Sequence, residues 1–335
     1  MAKGKDLHTD LELKEEDLLE MYRYMLMARF CDERQWGLNR QGKAPFVVPV
    51  SGHEAAQVGS AWAFETGKDV FCPYYRDMAL VLVAGFTPKD VFLGLFGKKD
   101  DPSSGGRQMP AHWGSRERNI ITGSSPIATQ CLHAAGIAYS KKLKKEDAVV
   151  GTWCGEGGTS EGDWHGAMNF AGVHKLPLIF VVENNQYAIS VHESKQVGGR
   201  VYKRAEGYGF PGFEGDGNDV LESYRLTKEA VDRARAGEGP TLIELRTYRH
   251  YSHTSDDDDR TYRTKEEVEE WKRKDPIPRF ETYLKSVDVI DDGKIAELRE
   301  KTKAEVAEGA KEAEQSDFPD PLSAGRHVYA DLEVG

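Results

Sequence analysis

Apolar positions between residues 147 and 182 alternate as strand, helix and strand. Residues 147–154 form a short, β-branched apolar run of the kind buried on both faces of a parallel sheet. From 160 to 174 the period lengthens, with Trp164, Ala167, Met168 and Ala171 at spacings of three and four that define one helical face. A second apolar run, 176–182, stops at Glu183-Asn184-Asn185. Short connections make these elements a βαβ unit, whose right-handed crossover brings both strand ends to one edge of the sheet. Ligands of open α/β sheets bind along that edge.

Elsewhere the pattern is mainly helical. Residues 15–35 read as an amphipathic helix, 73–97 contain helical segments including one opened by Thr87-Pro88, and 241–247 read as another buried strand. After Arg263 the chain becomes helical and charged, with a capping box at Thr264 and Glu267, a break at Pro276-Ile277-Pro278 and a Lys- and Glu-rich helix over 295–314. The expected fold is α/β: a mostly parallel sheet flanked by helices over 51–263, with helical extensions over 1–50 and 264–335. The last extension reads as a packing and assembly element, or alternatively as a solvated helix.

The chemistry gathers at the two strand ends. Gly155-Glu156-Gly157-Gly158 follows the first strand, and Asn184-Asn185-Gln186-Tyr187 follows the second. Glu156 offers a carboxylate oxygen, Asn185 an amide oxygen and Tyr187 a backbone carbonyl; three hard oxygens and a diphosphate complete an octahedral magnesium site. The glycines let backbone pass close to the diphosphate, and the helix start near Ser160 adds donors. The dinucleotide fingerprint fails because Ser160 stands where its third glycine belongs, and a Walker loop fails because no Lys follows Gly162. Downstream, Gly215-Asp216-Gly217 has no following Asn pair; Asn218 and Asp219 instead open a helical pattern over 220–236, so a turn with an N-cap is expected.

Composition narrows the class. A formal net charge of -11 argues against nucleic acid, whose binding proteins present basic faces. The longest apolar stretch, 79–86, is far short of the roughly 20 residues of a membrane helix, and with no charged-then-apolar leader a cytoplasmic protein is expected. Cys31, Cys72, Cys131 and Cys154 are scattered without metal spacing and read as buried, reduced thiols. Ser51-Gly52-His53-Glu54 reads as a capping box, and His133, His165 and His174 as structural residues of helices.

The segment 155–190, GEGGTSEGDWHGAMNFAGVHKLPLIFVVENNQYAIS, resembles the thiamin-diphosphate motif of alpha subunits of 2-oxo acid dehydrogenases, the decarboxylating first component of those complexes. PVSGHEAAQVG, YYRD, GGRQMP, SSPIATQ and TYRHYSHTSDDDDRTYR extend the likeness from Pro49 to Arg263. Glu156 in place of the commoner Asp points to the branched-chain 2-oxo acid branch; pyruvate and acetoin dehydrogenases are the alternatives, and a noncatalytic assembly subunit is the alternative of another class.

The resemblance implies thiamin diphosphate held by magnesium on Glu156, Asn185 and the Tyr187 carbonyl, with Gly155, Gly157, Gly158 and Ile189 beside it. It implies that Tyr74, Tyr75 and Arg76 hold the diphosphate from the opposite side, an Arg fork suiting phosphate oxygens; a surface ion pair with Asp77 is the alternative for Arg76. Ser125 and Ile127 would line the cofactor, and Ser124, Pro126, Thr129 and Gln130 match a potassium site of some relatives, although Ser125 before Pro126 also reads as a helix N-cap. His253 is the expected catalytic side chain, a donor or proton carrier near neutral pH on a loop too acidic to pack into a core. Thr254 occupies a regulatory phosphorylation position of some relatives. Phe46, Tyr75 and Met109 would line the pocket for a small 2-oxo acid. Implied partners are a beta subunit in an α2β2 heterotetramer, supplying the second cofactor domain, and a lipoyl-bearing acyltransferase component.

Overall fold

A computed structural model describes residues 7–326; residues 1–6 and 327–335 of the two expected extensions lie outside the described residues. Seven strands are present among them: β1 (Val70–Cys72), β2 (Val150–Gly155), β3 (Leu178–Asn184), β4 (Tyr187–Ala188), β5 (Val191–His192), β6 (Gly212–Asp216) and β7 (Thr241–Arg246). Five of them form one parallel sheet in the order β1-β2-β3-β7-β6, and β4 and β5 form an antiparallel hairpin. All the sheet strands being parallel, their carboxyl ends share one edge. Gly155 pairs with Glu183 in register, which sets Glu156 beside the Asn184-Asn185 turn.

Successive side chains of the central strands enter different cores, as the two-residue strand period demands. Ile179 and Val181 join the larger core with the helices Glu15–Arg40, Glu54–Trp62, Val220–Arg235 and Asp292–Gln315, whereas Leu178, Phe180 and Val182 join the smaller one under Thr129–Lys144 and Gly162–His174. Trp164, Ala167, Met168 and Ala171 are fully buried in the smaller core, as their spacing predicts.

Several local expectations need correction. The N-terminal helix runs to Arg40 and is not simply amphipathic: Met25, Leu26, Met27 and Ala28 are consecutively buried, because helices cover its middle on several sides. The C-terminal helix is not merely solvated, since Ile295, Thr302, Val306, Ala310 and Ala313 are buried along one face. Its Gly309 is required by close approach: a Cβ there would lie 2.8 Å from the Lys89 backbone nitrogen. Pro276-Ile277-Pro278 is a helix start, Pro276–Ser286, capped by Asp275. Ser51 does not cap Glu54–Trp62; its amide and hydroxyl donate to the buried Asp32, while Glu54 accepts from the Gly52 amide and pairs with Arg29 at 2.6 Å. The helix after Pro126 begins at Thr129 behind a left-handed Ala128, so Ser125 is not its N-cap. Strands β1 and β6 had no apolar run long enough to announce them, and β6 absorbs Gly215 and Asp216 as strand rather than turn.

Candidate active site

β2 ends at Gly155, and residues Glu156–Ser160 make a tight 3-10 turn before the helix Gly162–His174, so the first donors come from that turn rather than from a helix opening at Ser160. The Glu156 side chain is buried, and its Oε2 accepts from the Asn185 amide at 3.1 Å. Its Oε1 is equally buried and has no hydrogen-bond partner. Burial raises its pKa to about 7, against opposing amide bonds from Glu156 and Asn185. A buried carboxylate with a bare oxygen is costly unless an external charge or donor completes it.

The second turn is tied from several directions. Asn184 donates to Glu193 and Glu244 at 2.8 and 2.7 Å and so belongs to the framework, while Asn185 Oδ1 receives only the Tyr187 amide at 3.3 Å. Gln186 sits at φ 73°, a left-handed conformation that a non-glycine residue keeps only when held, and its side chain donates to the Thr247 carbonyl at 3.2 Å. Opposite, a Cβ on Gly157 would lie 2.8 Å from that of Ala188, and one on Gly158 would lie 3.1 Å from Ile127 Cγ2. The glycines thus leave the space that the cradle needs. Among the described residues no three His, Cys, Asp or Glu side chains cluster as a metal site, so a cation here would have to rely on one carboxylate plus amide and backbone oxygens.

These turns form the floor of a cavity of about 640 Å³. Phe46, Tyr74, Tyr75, Arg76, Met109, Ser125, Ile127, Gln130, Gly155, Gly157, Gly158, Asn185, Tyr187, Ile189 and His253 line it with Glu156, which brings together almost all the residues singled out by sequence. Ser124, Pro126 and Thr129 do not line it; the Thr129 hydroxyl donates to Asp163 at 3.1 Å. Tyr74 reaches the cavity, but its hydroxyl donates to Glu183 at 3.0 Å. Arg76 is buried and makes no ion pair with Asp77, which removes the surface alternative. Its Nη1 donates to the Pro49 carbonyl at 2.6 Å, its Nη2 to the His253 carbonyl at 3.3 Å, and its Nε has no partner.

Of the two roles expected of His253, donor and proton carrier, its surroundings favour the first. Its Nδ1 lies 3.2 Å from Arg76 Nη2 and 3.4 Å from Arg249 Nη1, so it accepts and the ring proton belongs on Nε2. Burial first, then Arg76 and Arg249, push its pKa down to about 3, so the imidazole is neutral near pH 7 and offers a donor rather than a titrating proton. The surrounding loop stays half-buried or exposed over 251–262, as expected, but it is held by internal bonds. Arg263 donates to the carbonyls of Arg249 and Tyr251 at 2.6 and 2.5 Å and pairs with Asp259, Asp258 pairs with Arg260, and Asp257 accepts from the His253 amide at 2.7 Å. Internal cations and donors thus neutralise much of the acidic run.

Two residues went unnoticed in the sequence. Arg249 is fully buried and bridges the Ile189 carbonyl at 3.0 Å to the Tyr262 hydroxyl at 2.9 Å, although it stands inside the quoted TYRHYSH segment. His112, three positions after Met109, meets the Ser125 hydroxyl at 2.5 Å on the cavity wall. Cys31, Cys72, Cys131 and Cys154 are buried free thiols, and no helix among the described residues is long and apolar enough to cross a membrane.

Residues 22–322 match the sequence model of the family described as Dehydrogenase E1 component. The chain is 49% identical over 324 residues to the 2-oxoisovalerate dehydrogenase subunit alpha of Bacillus subtilis (strain 168), covering 96% of this chain and 98% of that one. It is 38% identical over 333 residues to the pyruvate dehydrogenase E1 component subunit alpha of Staphylococcus aureus strain Mu50, covering 98% and 87%. A match of this extent, on a fold whose βαβ edge carries the buried Glu156 and Asn185, shows that the chain belongs to the dehydrogenase E1 component family as an alpha subunit, which implies thiamin diphosphate as cofactor and a beta subunit as partner.

Proposed function

We propose that this chain is the alpha subunit of a branched-chain 2-oxo acid dehydrogenase, acting in oxidative decarboxylation and in acyl transfer to the lipoyl group of an acyltransferase component. The carrying observation is the buried Glu156 carboxylate, bonded to the Asn185 amide with one oxygen left bare on the cavity floor. That donor set fits a magnesium ion held by Glu156, Asn185 and the Tyr187 carbonyl, because this ion takes few protein oxygens and shares phosphate oxygens. Thiamin diphosphate, when bound, supplies the electron sink for decarboxylation.

The chain's own residues bind and orient. Arg76 would meet the diphosphate through Nε, the guanidinium nitrogen left without a partner, Tyr75 and Gly155 to Gly158 would shape its bed, and the His253 Nε2–H would be a neutral donor toward it. Ser125, Ile127 and Ile189 line the cofactor, and Phe46, Tyr75 and Met109 shape an apolar mouth for a small 2-oxo acid. A potassium ion at Ser124, Pro126, Thr129 and Gln130 would brace the neighbouring turn. Residues 51–263 are taken as the cofactor domain between extensions 1–50 and 264–335. An α2β2 assembly places the cofactor between subunits, and the buried thiols accord with a cytoplasmic setting. Pyruvate remains the second reading, on the 38% identity to the Staphylococcus protein.

The test is co-expression with a beta subunit and assay of branched-chain 2-oxo acids, pyruvate and acetoin with an artificial electron acceptor. The expected outcome is the highest kcat/KM on branched-chain substrates and no turnover by the alpha chain alone. Preference for pyruvate would replace the substrate, and full activity from the single chain would overturn the two-subunit site.

A further inference from the structure

Glu267 belongs to the helix Lys265–Lys272, in the C-terminal extension, and does not line the cavity. Sequence reading assigns it to a capping box with Thr264. Only half of that box forms: the Glu267 amide donates to Thr264 Oγ1 at 3.2 Å. The carboxylate turns to two tyrosines instead. The Tyr187 hydroxyl donates to Glu267 at 2.9 Å and the Tyr248 hydroxyl donates to it at 2.8 Å. Tyr248 is further fixed by stacking on Trp271, one turn along the same helix, with ring centres 5.2 Å apart and planes within 2°. Tyr187 is itself buried and meets the Tyr248 ring edge-on.

The consequence lies in the backbone between Asn185 and Tyr187. Gln186 there is held at a positive φ, and the Tyr187 amide closes on Asn185 Oδ1. Two side-chain anchors hold this turn: Gln186 donates to the Thr247 carbonyl just past β7, and Tyr187 to Glu267. We infer that Glu267 is a positioning residue for the divalent-cation turn, fixing through the Tyr187 hydroxyl the angle at which the Asn185 amide oxygen and the Tyr187 carbonyl face the ion. The inference rests on the cation role proposed above for those two oxygens. Magnesium demands near-ideal octahedral geometry, whereas calcium accepts varied angles and longer bonds, so a loosened turn should penalise magnesium more.

The test uses the assembled alpha and beta subunits and follows thiamin diphosphate binding by tryptophan fluorescence and calorimetry while magnesium, or in a parallel series calcium, is titrated. Glu267→Leu, which has no acceptor for the Tyr187 hydroxyl, and Tyr187→Phe each raise the half-saturating magnesium concentration by about tenfold, the lower end of what loss of a ligand-orienting partner costs. The calcium requirement shifts by less than about threefold, and the double variant is no worse than either single one, because both remove the same bond. Tyr248→Phe, which removes the other donor without touching the turn, shifts magnesium by less than about threefold. A magnesium requirement within about twofold of wild type in both single variants, or equal shifts for the two ions, overturns the inference. Glu156→Ala is measured in parallel: if it too leaves the magnesium requirement unchanged, the cation site itself is wrong, whereas loss there with no effect at Glu267 removes only the positioning role.

Discussion

At the carboxyl ends of two strands of the same sheet, β2 and β6, the chain carries the same pattern of glycine, acidic residue, glycine. Gly155-Glu156-Gly157 ends a strand with neighbours on both sides, and Gly215-Asp216-Gly217 ends an edge strand. Glu156 is buried with one oxygen bare. Asp216 is half exposed, accepts from the Asn218 amide at 3.0 Å and pairs with Arg279 at 2.5 Å. Neighbours account for the difference: β3 brings Asn185 to Glu156, whereas β7 brings the Arg246 carbonyl, which takes the Gly217 amide at 2.7 Å. A carboxylate is available for a ligand only where its own protein has not already satisfied it.

The largest break in this comparison comes from removing each carboxylate in the assembled enzyme. Glu156→Ala is expected to weaken magnesium-dependent thiamin diphosphate binding by at least about a hundredfold by calorimetry, if Glu156 is, as proposed, the only charged protein ligand of an ion held by few protein groups. Asp216→Ala should leave that affinity unchanged and cost about 1 kcal/mol or less of stability, as exposed ion pairs do. Equal affinities for Glu156→Ala and wild type would erase the distinction.

Adding a methyl group to each second glycine separates the same turns by kind of damage. Gly157→Ala puts a Cβ 2.8 Å from that of Ala188, next to the cation turn, and should reduce cofactor affinity roughly tenfold, as loss of support behind a metal ligand does. Gly217→Ala puts one 2.9 Å from the Arg246 carbonyl and should instead lower unfolding free energy by about 1–3 kcal/mol, seen in denaturant melts with cofactor binding intact. The reverse assignment of effects would contradict the geometry.

The smallest expected effect is in pH dependence. Glu156 has a folded pKa of about 7, above its ordinary 4.5, so between these values the folded chain holds a proton that the unfolded chain has released. Stability attributable to this group therefore falls as pH rises from about 4.5 to 7. Glu156→Gln lacks that dependence, so the cofactor-free variant should gain on wild type in melting temperature between pH 5 and 8. Magnesium with thiamin diphosphate should shrink the wild-type dependence by stabilising the carboxylate. Parallel melting curves for the two proteins across this range would show that the buried carboxyl is not titrating there.

The two strand-end turns that carry Glu156 and Asn185 were legible because their signals are local, whereas Arg76, Ser125 and His253 entered only through the family resemblance. A β-branched run ending at glycine, a helical period and a second run ending at two asparagines are short-range patterns, and the crossover rule turns them into one edge. Strands β1 and β6 were not legible, since three residues in one and Gly-Phe-Glu-Gly-Asp in the other show no period and become strands through pairing. Arg249 was missed and Glu267 read only as a cap for a related reason: nothing adjacent in sequence shows that their partners lie at Ile189, Tyr187 and Tyr248. The charge of the acidic loop suggested solvation, but Arg263 sits far enough along to fold back on it.

By itself the sequence determined the order of the central elements, the edge on which a ligand would sit and the two strand-end turns proposed to hold it, because periodicity and residue chemistry are properties of short segments. Only the tertiary structure decided which of two similar turns keeps an unsatisfied carboxylate, that His253 is neutral and which nitrogen carries its proton, and that the C-terminal extension reaches the cation turn. Each depends on burial and on hydrogen bonds between residues distant in the chain, and neither exists until the sheet and its covering helices have assembled.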